Sequence, residues 1–201
     1  MIYIIRHGQT ELNRRQVLQG RSDALLNETG IAQAQQMAEA LAGVVFCRVF
    51  SSPLRRAVQT ARIVAPNVEP EMDERLIEMD YGPYEGTDLT ALPPEVRTFF
   101  SDFIHNPAPD GMEPLSSVKR RAGSFLEDVK GLEGNILIST HAIAMKGILE
   151  QLTPDSNGSY WSTYIGNCAV YVTEPIDGNL SVPREWVPGT GRNSRASGTH
   201  S

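Results

Sequence analysis

Apolar positions in this chain occur first as short runs and then at helical spacing, and the alternation between the two predicts its elements. Tyr3, Ile4 and Ile5 form an uninterrupted apolar run, the mark of a strand buried on both faces. Gln9 to Ala24 is polar and without period, which reads as a loop containing a short helical turn. Asn27 then offers an N-cap, Ile31, Ala34, Met37, Ala38 and Leu41 follow at helical spacing, and Gly43 closes the pattern. Val44 to Phe50 is a β-rich run of strand length. Ser52 and Pro53 predict the cap and first position of a second helix with Leu54, Val58, Ala61 and Val64 on its apolar face. Strand and helix alternating this early point to βαβ units and a parallel sheet.

From Pro66 to Pro114 the regularity fades, apart from a helix predicted from Pro93 or Pro94 to Ile104 that carries Val96, Phe99, Phe100 and Phe103. This reads as a cap inserted over the sheet edge, at about residues 80–117, with the aromatic stripe packing the cap onto the core. Helical period returns after Ser116 and Ser117 with Val118, Ala122, Phe125 and Val129. Asn135 to Thr140 is a second buried strand, and a helix follows from Ala142 to about Leu152. Cys168–Thr173 and Arg184–Val187 read as late edge strands compatible with antiparallel pairing. The expected organisation is one domain over residues 1–188 and a disordered tail over 189–201, where Gly, Ser, Thr and Arg predominate.

Composition narrows the partners. With 201 residues, 40% of them hydrophobic, the chain can build one sizeable core. Its 18 basic and 24 acidic side chains leave a net charge of −6, which argues against nucleic acid or an anionic membrane surface. No apolar run approaches membrane-spanning length, and a strand beginning at Met1 leaves no room for a signal segment. Cys47 and Cys168 both lie in apolar runs and read as free buried thiols, fitting a reducing cytoplasm. Oligomeric state is not legible in this pattern.

The chemistry gathers where predicted strands end. Arg6 and His7 close the first strand and His141 closes a later one, all at the carboxyl edge where open α/β sheets bind ligands. A histidine there can be nucleophile, base or metal ligand; the adjacent arginine repels a metal but grips an oxyanion, and Gly8 lets the backbone approach that anion. Arg56 falls in the first turn of the helix predicted from Ser52, where free N–H groups and the dipole suit phosphate. Two arginines around two imidazoles make a phosphoryl-transfer pocket that needs neither metal nor cofactor, a neutral imidazole serving as nucleophile. A leaving alkoxide needs a proton, and Glu78 is the most cleanly placed acid, with Asp80 and Glu85 as rivals. Such an acid needs a raised pKa, which partial burial beside substrate phosphate supplies. Gln19 and Gly20 in the polar loop are expected to add substrate contacts. Arg55 is expected to be solvated or in a surface ion pair, Arg14, Arg15 and Arg21 at the surface with one of them able to meet a distal substrate group, His105 in a loop and His200 inert in the tail.

The chain resembles the histidine phosphatase superfamily, which contains cofactor-dependent phosphoglycerate mutases and many small phosphatases. The matching stretches are Ile5-Arg6-His7-Gly8-Gln9-Thr10 with Asn13, then Gly20 with Asp23 and Leu26 through Gly30, then Ser51 through Ala61. Leu76-Ile77-Glu78 with Gly82 and Glu85-Gly86, and Ser139-Thr140-His141, complete the series in the family's order. The resemblance implies a three-layer α/β/α fold with a mainly parallel sheet and no metal. It implies His7 as the phosphorylated nucleophile, Arg6, Arg56 and His141 as holders of the phosphoryl group, Glu78 as proton donor and Asn13 in the pocket wall. Ala142 and Ile143 stand where many members have glycines, and Leu25 where proline is common. Residues 80–135 carry ten acidic and five basic side chains, a poor cap for retaining a bisphosphate, so hydrolysis of a small phosphorylated metabolite is expected. A phosphoglycerate mutase and a non-catalytic phospho-ligand binder are the alternatives.

Overall fold

In the computed structural model, which describes residues 1–176 and 178–188, the first strand β1 (Ile2–Arg6) runs through the middle of a six-stranded sheet. After it come α1 (Glu11–Arg14), α2 (Glu28–Ala40), β2 (Phe46–Ser51), α3 (Arg55–Val64) and the two-residue β3 (Glu71–Met72). Three short 3-10 turns and α4 (Pro94–Ser101) lead to α5 (Leu115–Val129), β4 (Asn135–Thr140) and α6 (Ala142–Gln151). The chain ends in α7 (Ser159–Ser162), β5 (Val170–Thr173), the paired β6 (Pro175–Ile176) and β7 (Asn179–Leu180), and β8 (Arg184–Trp186). The tail expectation for 189–201, with His200, lies outside the described residues.

Sheet order is β3-β2-β4-β1-β5-β8. The first three pairings are parallel, and β5 lies antiparallel to both β1 and β8, so the sheet is mainly parallel as expected. Period two along β1 explains the layers. Ile2 and Ile4 face a cluster with Phe125, Ile136, Ile138, Met145 and Ile148, which α5 and α6 cover. Tyr3 and Ile5 face the opposite cluster with Ala34, Leu41, Ala61, Val64 and Leu137, covered by α2 and α3. A third cluster, Met79, Val96, Phe99, Phe103, Met112, Val118, Ile143 and Trp161, ties the irregular segment to α5, α6 and α7. Among the described residues no helix is long and apolar enough to cross a membrane.

Several boundaries differ from expectation. The second strand starts at Phe46 rather than Val44, and α4 ends at Ser101 rather than Ile104, where Asp102 takes an extended conformation and accepts the Ile104 and His105 N–H groups. Helix α3 starts at Arg55, not at Pro53, because the Ser52 hydroxyl does not reach the helix interior: it accepts the Leu54 N–H at 3.3 Å and lies 2.7 Å from His141 Nε2. Cys47 is exposed, its thiol directed at the Glu133 and Asn135 carbonyls, whereas Cys168 is buried as expected. Phe99 is core, but Phe100 and Phe103 also line a cavity.

Candidate active site

Register brings the site together. Arg6 pairs with Thr140 across β1 and β4, and Ser51 with Ser139 across β2 and β4, so the residues that follow, His7, Ser52 and His141, meet at one edge. The two imidazole centroids are 5.1 Å apart. His7 is 3% exposed; Arg56 and His141 are fully buried.

The nucleophile's tautomer follows from one bond. His7 Nδ1 lies 2.7 Å from the Gly8 carbonyl, which only accepts, so Nδ1 carries the proton and Nε2 keeps its lone pair. Arg56 Nε donates to that Nε2 at 3.2 Å. Burial first, then the Arg56 and Arg6 charges, hold the His7 imidazole well below its usual pKa, so it is neutral at physiological pH. His141 is lowered in the same direction by burial, then by Arg56 and His7; its Nδ1 is buried without a partner among the described residues.

Arg56 is fixed by its fork. Nη1 donates to the Ser22 carbonyl at 2.6 Å and Nη2 to the Gly20 carbonyl at 2.7 Å. Burial lowers its pKa to about 10, with Glu78, Glu85 and Asp23 opposing, which leaves it charged at neutral pH. Arg6 donates through Nη1 to the Ile165 carbonyl at 2.5 Å, and its Nε is buried without a partner among the described residues. Glu78 is 4% exposed and accepts three backbone N–H groups: Met79 at 2.9 Å, Ala144 at 3.0 Å and Ile143 at 3.2 Å. The last two belong to the first turn of α6, so both carboxyl oxygens are held at that end of the helix.

A cavity of about 770 Å³ is lined by Arg6, Asn13, Gln19, Glu78, Tyr81 and Lys146 together with the apolar walls Phe100, Phe103, Ile143 and Trp161. His7, Arg56 and His141 are not in that lining, but Arg6, which is, stands close enough for its charge to bear on both imidazoles. Ala142 and Ile143, where family glycines were noted, both line it.

A model of the histidine phosphatase superfamily (branch 1) matches residues 2–185. The chain belongs to that superfamily. It is 31% identical over 175 residues to a putative phosphoserine phosphatase 2 of Hydrogenobacter thermophilus, covering 84% of this chain and 86% of the relative. It is 36% identical over 156 residues to a probable phosphoglycerate mutase GpmB of Proteus mirabilis, covering 74% and 72%. A mutant phosphoserine phosphatase of Entamoeba histolytica, solved in complex with phosphoserine, superposes with a TM-score of 0.78 at 26% identity, covering 92% of this chain and 94% of that one. Histidine phosphatase members thus include both activities weighed from the sequence.

Against the expectations, the structure brings His7, Arg56 and His141 together and places Arg6, Asn13, Gln19 and Glu78 at the cavity wall. Gly20 is outside the cavity lining: its N–H donates to Glu85 at 2.8 Å, its carbonyl accepts from Arg56 Nη2, and a Cβ would strike the Met79 carbonyl, Tyr81 and Glu85, so close packing leaves no room for a side chain there. Glu85 organises the same loop by accepting the Gly20 and Ser22 N–H groups, and Asp80 accepts the Gly82 N–H; neither lines the cavity. Gly8 approaches the Gly30 carbonyl, 2.5 Å from where a Cβ would stand, and its N–H donates to Thr60 Oγ1, so packing requires glycine there. Arg55 pairs with Asp23 at 3.0 Å, and Arg14, Arg15 and Arg21 stay out of the cavity lining. His105 is exposed and bonded to Asp102 at the cavity wall. Unforeseen were Ser52 on His141, Thr60 tying Gly8 to the Arg56 carbonyl, Asn167 donating to the His7 carbonyl at 3.0 Å, and Lys146. Helical spacing could have flagged Thr60, one turn after Arg56; nothing in the pattern flags the others.

Proposed function

We propose that this protein hydrolyses a small phosphorylated metabolite through a phosphohistidine on His7, without a metal or cofactor. The observation that carries the reading is the His7 geometry: a neutral imidazole with Nδ1–H fixed on Gly8, its Nε2 lone pair turned to Arg56 and accepting from Arg56 Nε, the donor that substrate phosphate would take over. Nε2 attacks phosphorus and the P–O bond to the alcohol breaks. Arg6, Arg56 and His141 take the charge on the transferring oxygens, and Glu78 gives its proton to the leaving alkoxide. Water then attacks the phosphohistidine, Glu78 accepts its proton, and inorganic phosphate leaves with His7 restored. Asn13 and Gln19 contribute substrate contacts at the wall.

Hydrolysis is favoured over mutase activity because Arg6 and Lys146 are the Lys and Arg side chains in the cavity lining among the described residues, few for holding a bisphosphate. The intact His7 and Glu78 favour an enzyme over a phospho-ligand binder. The free thiols Cys47 and Cys168 support a reducing, cytoplasmic setting. The test is hydrolysis of p-nitrophenyl phosphate in chelator across a pH series, then incubation with 3-phosphoglycerate with and without 2,3-bisphosphoglycerate. Metal-free phosphate release is expected; interconversion of phosphoglycerates without net release would overturn the hydrolase reading.

A further inference from the structure

Lys146 is the buried charge that the chemistry above leaves unused. It lies in an α6 stretch whose neighbours Ile143, Ala144, Met145, Gly147, Ile148 and Leu149 are all buried, and it is itself 9% exposed. Its Nζ donates to the neutral Trp161 carbonyl at 2.9 Å and stands 5.7 Å from the Phe103 ring centroid. An ammonium has three N–H donors, so that bond leaves two to satisfy. Glu78 acts on Lys146 through space, but among the described residues no hydrogen bond or ion pair joins the two, and the Glu78 oxygens accept the Met79, Ile143 and Ala144 N–H groups. Burial lowers the Lys146 pKa, the expected sign for a desolvated cation lacking a close counter-ion.

The residue whose carbonyl holds Lys146 carries a second donor of its own. Trp161 is 3% exposed, its indole Nε1 is buried without a partner among the described residues, and both residues line the cavity. The cavity's 770 Å³ exceeds what a phosphoryl group alone requires. Ile143, whose N–H holds Glu78, precedes Lys146 by three residues, a rise of about 4.5 Å along the helix. That places Lys146 within about one helical turn of the residue holding Glu78, a separation on the scale of a short alcohol carrying an anionic group. One cation with one neutral donor suits a monoanion better than a second phosphate, which calls for more charge.

We propose that Lys146 and the Trp161 indole form a carboxylate subsite, which selects phosphomonoesters whose alcohol part carries a carboxylate. The proposal rests on the phosphomonoester reading of the His7 site, and its test separates the two. In a His7→Ala protein, which cannot form the phosphohistidine, calorimetry compares 3-phosphoglycerate with glycerol 3-phosphate, where a hydroxymethyl group replaces the carboxylate. With Lys146 present, the carboxylate ligand should bind at least tenfold tighter; Lys146→Met and Lys146→Gln should each erase that preference, with thermal melting confirming a folded protein. No preference in the Lys146 protein, an equal loss for both ligands, or no detectable binding of 3-phosphoglycerate would overturn the subsite. Failure of the hydrolase reading would appear separately, as absence of p-nitrophenyl phosphate turnover by the protein with His7 in place.

Discussion

Replacing Arg56 by lysine keeps the charge and removes the fork. The guanidinium makes three contacts at once: 3.2 Å to His7 Nε2, 2.6 Å to the Ser22 carbonyl and 2.7 Å to the Gly20 carbonyl. A single ammonium reaches one of the two carbonyls at best, and the one left unpaired costs roughly 1–3 kcal/mol of stability. The catalytic cost is larger in effect. Losing a preorganised donor on the transferring oxygens costs about 2.7–4 kcal/mol, a fall in kcat/KM of about 10²–10³. Urea unfolding reads the first figure and initial rates on p-nitrophenyl phosphate the second. A folded Arg56→Lys protein that kept more than a tenth of wild-type kcat/KM would refute the role given to the fork.

Glu78→Gln should slow hydrolysis of alkyl phosphomonoesters by about 10²–10⁴ while costing far less with a p-nitrophenolate leaving group, and equal losses for both would remove Glu78 as proton donor. Stability should fall as pH drops below 6.5: His7 and His141 are held neutral in the folded protein while the unfolded chain binds their protons. Each imidazole contributes about 1.4 kcal/mol per pH unit until its folded pKa is reached. Urea midpoints between pH 7.5 and 5 should show this slope, and His7→Gln should reduce it by about half, leaving the His141 contribution; a slope unchanged by that variant contradicts the assignment.

Runs and periods in the sequence located β1, β4, α2 and α6 because each buries a continuous face against the sheet. The site's histidines were legible for the same reason, since each directly follows a strand of uninterrupted apolar character. Helix α3 was misplaced because the capping rule assigns the Ser52 hydroxyl to the helix, whereas it meets His141 instead. Gly20 was read as a substrate contact because its neighbours are polar; its cause is close packing, which only the fold reveals. Lys146 was invisible because a lysine in an amphipathic pattern is expected at the surface, and its burial depends on the cavity built by Phe103 and Trp161 from distant segments. Asn167 and Cys168, the latter with φ 56°, precede a strand that inserts antiparallel beside β1, a pairing no local period specifies.

The central claim is that the phosphoryl group passes through His7. Rapid acid-free quenching of the enzyme with a radiolabelled phosphomonoester, followed by peptide mapping, tests it most directly. An acid-labile, base-stable label on the peptide containing His7, absent from His7→Ala, is the predicted result. Steady turnover with no label on that peptide, or with the label on another residue, would contradict the account.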